Sequence, residues 1–345
     1  MFSQLNFVLR MNTEILPTHT KLLFDAAVKR AAESLRAGEV VALPTETVYG
    51  LAANALDEKT VAKIFQIKGR PAHNPIIVHV AGPEMARNCV AAWPELAGKF
   101  SRAFWPGPLT LVLPRAEKIP DNVTAGGTTV GVRWPSHPFM QAVIRECGFP
   151  LAAPSANLSN QVSPTNAEHV RSQLAGQISL IVDGGQSQVG IESTVLDLTA
   201  VAPKILRPGM IHLESLMAVA ENVQHSTFNT EQSALRSPGM LAKHYSPKAK
   251  LVVLDWHDEA ELQLKIQNLK FKIADCHVIA HTKIPAGFAA ANVSVIPHDA
   301  EAFARALYSE LHHCDAAGAR LIIVEALPDS PEWSGIADRL QRAAA

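Results

Sequence analysis

The chain has 345 residues, with 31 Lys and Arg against 32 Asp and Glu, for a formal net charge of −1. Hydrophobic residues at 48% and charged residues at 18% exclude a disordered or fibrous chain, and the length accommodates about two domains. So even a balance excludes coating of nucleic acid through bulk charge, and any anionic ligand must meet a local cluster of cations. Cys89, Cys147, Cys276 and Cys314 are scattered, with no C-x-x-C pair. They read as small core residues of a reducing compartment rather than a disulfide framework or a zinc site. No apolar run approaches the roughly 18 residues of a membrane helix, and the N-terminus lacks a small-residue cleavage site. A cytoplasmic protein with no membrane contact is the expectation. Met11 is an alternative start, which makes the first ten residues a frayed tail.

In chain order, helical spacing of apolar residues predicts helices over 22–37, 59–67, 94–104, 140–147 and 166–174. β-branched runs predict strands over 38–43, 75–80, 109–113, 129–133, 179–182 and 193–198. The first of these ends at Pro44, whose missing N–H cannot continue a central ladder. Residues 222–237 are polar and weakly periodic and lead into Pro238-Gly239, the composition of a linker. A second alternating pattern follows, with strands over 250–254, 276–280, 293–296 and 320–326 and helices over 258–269 and 300–314. The fold class is therefore α/β: a sheet domain, then a smaller Rossmann-like parallel domain. No G-x-G-x-x-G accompanies the second domain, so nothing there supports nucleotide binding. The division expected is a tail over 1–19, a catalytic domain over 20–215, a linker over 216–248 and a C-terminal domain over 249–345.

Chemistry-bearing residues collect at predicted strand and helix ends. Leu43-Pro-Thr-Glu-Thr-Val-Tyr-Gly-Leu51 brings hydroxyls and a carboxylate together, and by itself reads as a capped turn. Lys68-Gly-Arg-Pro-Ala-His-Asn-Pro75 places two cations around a glycine, where both can address one phosphate chain. Arg133, between Val132 and Trp134, sits in an otherwise buried strand and needs an acidic partner or an anionic ligand. Ala152-Ala-Pro-Ser-Ala-Asn-Leu-Ser159, running on to Ser163-Pro-Thr165, can cradle an anion or form Asx and ST turns. Glu192-Ser-Thr-Val195 and Arg207-Pro-Gly209 complete the set. Recurrence of Lys68, Arg70, Arg133 and Arg207 in one domain favours a single cationic cleft. Common phosphate and acyl loops (G-x-x-x-x-G-K-[ST], H-E-x-x-H, G-x-S-x-G) are absent.

The ordered series PTETVYGL, KGRPAHNP, TVGVRWP, APSAN, SPT, ESTV and RPG resembles the YrdC-type threonylcarbamoyl-AMP synthase family over about residues 20–215. SPGMLAKHYSPK over 237–248 and the trailing α/β domain resemble its longer, two-domain form. The resemblance implies a YrdC-like twisted-sheet domain with a cationic cleft that joins L-threonine, bicarbonate and ATP into threonylcarbamoyl-adenylate and pyrophosphate. It also implies Mg²⁺ and a partner transferase that passes the group to tRNA. Thr47, His79, Arg133, Ala153 and Ser193 match threonine-site positions. Arg70, Asn74, Thr129, Ser155, Ser163 and Arg207 match nucleotide-site positions, and Tyr245 matches a residue that closes over the nucleotide. Lys68 and Arg70 would be catalytic, holding the triphosphate with Mg²⁺ bridging its oxygens; no protein ligand to the metal is assigned. Glu46 and Glu192 are expected to serve in structural hydrogen bonds, and His137, His169, His312 and His313 to be surface or capping residues. His244 is a candidate cleft residue. Two rival readings are a non-catalytic RNA-binding module and a carbamoyl-adenylate-forming maturation enzyme. The second normally carries zinc-binding cysteine pairs and an acylphosphatase-like segment, and this chain has neither.

Overall fold

The computed structural model describes residues 12–225, Pro238 and 244–345. Its larger sheet is built from β1 (Glu14–Pro17), β2 (Val41–Leu43), β3 (Gly50–Asn54), β4 (Val78–His79), β5 (Leu109–Pro114), β6 (Thr129–Arg133), β7 (Leu151–Ala152), β8 (Leu180–Asp183), β9 (Thr194–Asp197), β10 (Lys204–Arg207) and β11 (Gln224–His225). Their spatial order is β1-β8-β2-β3-β7-β4-β6-β5-β9-β10-β11, with parallel and antiparallel pairs mixed. The smaller sheet contains β12 (Lys250–Leu254), β13 (Cys276–Ala280), β14 (Val293–Val295) and β15 (Leu321–Glu325). Its order is β12-β15-β13-β14, and every neighbouring pair is parallel.

Period-two alternation puts a core on both faces of the larger sheet. Ala42, Leu51 and Ala53 enter one apolar cluster, while Val41, Leu43 and Ala52 enter another with the Lys21–Arg36 and Pro138–Cys147 helices. The predicted helices form within a few residues of their expected ends. Pro138 opens one of them at its first turn, and His137 caps it by accepting the Phe139 N–H at 3.2 Å. Glu14–Pro17, expected within a tail over 1–19, is instead an edge strand: Leu16 pairs with Val182, and Thr13 donates to the Ile178 carbonyl at 2.7 Å. Without it, the outer edge of β8 would present unpaired backbone groups. Most of the linker expected over 216–248 lies outside the described residues, as do residues 1–11.

The C-terminal domain docks through the Ala300–Ala316 and Ser334–Ala343 helices. One apolar cluster runs across the seam, joining Val48, Val162, Ile191 and Tyr245 to Phe303, Leu307, Tyr308, Leu311 and Ile336. Two glycines let the backbones touch. A Cβ on Gly335 would lie 2.9 Å from Gly209 Cα, and one on Gly190 would lie 2.3 Å from the Ala304 carbonyl oxygen. All four cysteines are buried free thiols, matching their reading as core residues. No helix among the described residues is long and apolar enough to cross a membrane.

Candidate active site

The turn after β2 is locally stapled. Thr45 Oγ1 accepts the Thr47 and Val48 N–H groups at 3.2 and 3.3 Å and donates to the Val48 carbonyl at 2.6 Å. The 189–190 backbone then pins to it, with Val189 N donating to Glu46 O at 2.7 Å and Gly190 N to Thr47 O at 3.1 Å. On the central strands, His79 of β4 stands in register beside Arg133 of β6, so both side chains leave the same face. The Glu58–Lys68 helix ends on Gly69 in the left-handed region at φ 58°. Gly69 and Arg70 return their N–H groups to Gln66 and Phe65, and the chain turns Arg70 toward the same cavity. A register shift between Ile205 and Arg207 brings the Arg207 guanidinium onto Ser193: Nη2 donates to Ser193 O at 3.0 Å and Oγ at 3.1 Å.

These segments enclose a cavity of about 50 Å³. Its wall includes Thr47, Arg70, His79, Arg133, Ala153, Ser155, Ser193, Arg207, His244 and Tyr245. Three of the four expected cations therefore converge. Arg133 Nη2 lies 2.7 Å from Glu46 Oε1 in a buried ion pair, off hydrogen-bond alignment, and Nη1 donates to Thr47 Oγ1 at 3.0 Å. Burial, the largest single influence, raises the Glu46 carboxyl, but Arg133 together with backbone hydrogen bonds from Ser136 and Glu46 itself brings it below its ordinary value. His79 is buried with Nδ1 lacking a hydrogen-bond partner. Burial first, and the Arg133 charge next, push its pKa down to about 3, so the ring is a neutral donor or acceptor. Arg70 donates to Asn74 Oδ1 at 2.8 Å and to the Pro75 carbonyl at 2.6 Å. Tyr245 adopts φ 62°, a costly conformation for a bulky residue, and its hydroxyl is buried without a partner.

Four expected site residues do not line this cavity. Lys68 is buried, and its ammonium is spent on the Ser155 carbonyl at 2.6 Å and the Asn157 carbonyl at 2.5 Å, so it holds the loop that carries Ser155. Asn74 orients Arg70 from behind. Ser163 is wholly buried and donates to Glu192 Oε1 at 2.6 Å. Thr129 belongs to a small adjoining pocket with Ile77, Val112, Val130, Val195 and Pro238, which shares Ile77 and Pro238 with the first. Gly131 keeps that pocket's floor open, since a Cβ there would come within 3.2 Å of Thr110 Cγ2. The four histidines set aside as surface or capping residues include one pair with a different role. His169 and His312 stack at 3.9 Å across the domain seam, and His312 Nε2 lies 3.1 Å from the Ser163 carbonyl.

Glu192, itself on the wall, ties that wall to the C-terminal domain. Burial would raise its carboxyl, but Arg339 and Arg207, with hydrogen bonds from Ser163 and Arg339, bring it down to about 2. Tyr308 donates to Oε2 at 3.0 Å and Arg339 Nε at 2.9 Å. Arg339 and Tyr308 were not legible as site residues. The one local signal was an arginine on an apolar stripe, because Ile336, Arg339, Leu340 and Ala343 share one buried helix face. A depressed carboxyl pKa stabilises the fold above the unfolded value of 4.5, and that contribution disappears as pH falls toward 2. The Glu192→Gln variant should therefore lose less stability than wild type between about pH 5 and pH 2 in denaturant titrations. Parallel losses would show that Glu192 does not carry that acid sensitivity.

Among the described residues no group of three His, Cys, Asp or Glu side chains is placed to hold a metal. Residues 33–209 match the Sua5/YciO/YrdC family, described as telomere recombination, and residues 211–345 match the threonylcarbamoyl-AMP synthase C-terminal domain. The chain is 38% identical over 318 residues to the threonylcarbamoyl-AMP synthase of Pyrococcus abyssi, covering 92% of this chain and 93% of that protein. It is 41% identical over 324 residues to the enzyme of the same name from Bacillus subtilis, with 93% of each covered. The crystal structure of P. abyssi Sua5 complexed with L-threonine superposes with a TM-score of 0.89 at 37% identity, over 96% of this chain and 98% of that one. A P. abyssi Sua5 variant with an adjacent His and Tyr both changed to Ala superposes at 0.86, over 96% of each chain.

Proposed function

The chain belongs to the Sua5/YrdC family of threonylcarbamoyl-AMP synthases, and from that membership we infer that it condenses L-threonine, bicarbonate and ATP into threonylcarbamoyl-AMP and pyrophosphate. The observation that carries the reading is the convergence of Arg70, Arg133 and Arg207 on one cavity of a chain with no excess positive charge. Adenylation builds negative charge on the α-phosphoryl oxygens and on departing pyrophosphate, and fixed cations stabilise it without reorganising.

In this reading Arg133 grips the threonine carboxylate with its planar fork. Thr47, His79, Ala153 and Ser193 surround the rest of the amino acid, and a site built to hydrogen-bond its hydroxyl rejects analogues lacking one. Arg70, Ser155 and Arg207 meet the phosphates. Asn74 sets the Arg70 fork, Ser163 acts through Glu192, and the apolar pocket beside Thr129 takes the base. Tyr245, on the same wall as Pro238 and His244, closes over the nucleotide. Glu192, the carboxylate on the wall, has both oxygens occupied. Among the described residues no carboxylate on the wall is free for Mg²⁺, so the triphosphate would hold it, and it would supply charge neutralisation. The product is an activated acyl group that a transferase, acting in the cytoplasm, moves to tRNA.

The test is pyrophosphate release from ATP with threonine and bicarbonate supplied or withheld. Release that requires both supports the reading; release independent of threonine, or RNA binding without turnover, overturns it. Lys68→Ala removes the cation that holds the Ser155 loop. It is expected to lower turnover about tenfold or more while threonine binding, measured by calorimetry, is largely retained. An unchanged rate would remove Lys68 from the mechanism.

A further inference from the structure

Glu192 stands on the cavity wall, one residue before Ser193, yet its charge is balanced from the other domain. Arg339, 1% exposed, donates Nε to Glu192 Oε2 at 2.9 Å and Nη2 to the Glu192 carbonyl at 3.2 Å. Its Nη1 reaches the carbonyl of Pro208, the residue after Arg207, at 2.8 Å, and its guanidinium carbon lies 5.4 Å over the Tyr245 ring. One side chain of the C-terminal domain thus touches three pieces of the cavity wall. Arg207, meanwhile, directs its donors to Ser193 and to the Pro238 carbonyl.

We propose that Arg339 is a positioning residue for the nucleotide. It ties the Glu192 carboxylate to the C-terminal domain, so that this carboxylate does not compete with the polyphosphate of ATP for Arg207 and Arg70. This rests on the reading that the cavity binds ATP. The chemistry is competition for a cation. A buried carboxylate stripped of its partner is strongly unfavourable and competes for another cation, and Arg207 lines the same cavity wall as Glu192 and already acts on its charge. A carboxylate seated on Arg207 would then occupy the place of a phosphate oxygen. Tyr308 supports the same arrangement through its hydroxyl on Oε2.

The experiment measures KM for ATP and for threonine, with melting temperatures, in wild type, Arg339→Met, Arg339→Lys and the double variant Glu192→Gln/Arg339→Met. Arg339→Met is expected to raise KM for ATP about tenfold or more and KM for threonine less than about threefold. Adding Glu192→Gln removes the competing charge and should return KM for ATP to within about threefold of wild type. Arg339→Lys, which keeps the charge and loses the fork, should fall between. Equal rises in both KM values, or a double variant no better than the single, would overturn the proposal as a purely structural effect. Where Arg339→Met does not fold, Arg339→Lys decides: a selective rise in KM for ATP supports the proposal, and a wild-type value overturns it. Threonine-dependent turnover by wild type in the same assay tests the underlying reading separately.

Discussion

Arg133→Ala is expected to raise the threonine concentration for half-maximal rate about a hundredfold, with the ATP requirement moved by less than about threefold. The reason lies in where the guanidinium sits. Arg133 is buried at 4% exposure, faces the cavity beside His79, and shares its charge with Glu46 at 2.7 Å. A planar fork can hold Glu46 with one edge and a ligand carboxylate with the other, which a lysine cannot reproduce. Loss of a buried, hydrogen-bonded charge partner costs about 2–5 kcal/mol of binding. Steady-state pyrophosphate release with each substrate varied in turn reads the effect, and equal changes in both requirements would sink the assignment. The same substitution strands Glu46, at about 3–5 kcal/mol of stability. The Glu46→Gln/Arg133→Ala double variant separates the two consequences: thermal stability should largely return while threonine affinity does not.

Gly190→Ala is expected to destabilise the protein by about 3 kcal/mol or more and to lower activity with it. Gly190 sits at φ 84°, where an L-residue is strained, and its Cβ would fall 2.3 Å from the Ala304 carbonyl oxygen and 2.4 Å from Arg305 Cα. Those are backbone atoms of a helix and cannot swing aside. The strain would move either the Ala300–Ala316 helix or the 189–193 segment that carries Glu192 and Ser193. Gly185 supplies the control, because it has nearly the same φ, 79°, and a methyl group there would meet nothing within 4 Å. Gly185→Ala should cost only the backbone term, roughly 1–2 kcal/mol. Equal losses in chemical denaturation would mean that the tight domain seam contributes nothing at Gly190.

Contacts across that seam also bear on what the C-terminal domain does. Its residues reach the site there, where Tyr308 and Arg339 bind Glu192 and where Tyr245 packs against Tyr308 at 5.9 Å between ring centroids. Arg339 is buried at 1% exposure against the cavity wall. Burying such a pair is expensive, and a hydrophobic replacement of like volume is often as stable. Its place between the two domains fits a role in setting charge at the cavity.

Local chemistry determined much of this protein. β-branched runs such as Leu109–Pro114 and Leu321–Glu325 form strands because their side chains fill both faces of a buried pleat. Gly69 ends its helix because only a residue free of a Cβ takes φ 58° without strain. The order of short polar motifs carried the family, since each motif places its functional groups at a strand or helix end. Other features had no local signature. Gly50–Asn54 (GLAAN) has weak strand propensity and becomes a strand because β2 and β7 flank it. Glu14–Pro17 takes its ladder partner from β8, far along the chain. The Glu192–Arg339 contact spans 147 positions, and neither residue's neighbours announce the other. Motif spacing thus determined which groups exist for chemistry. Only tertiary structure decided which of them face the cavity and which, like Lys68 and Ser163, stand behind it, because burial and pairing of charge depend on segments brought together by folding.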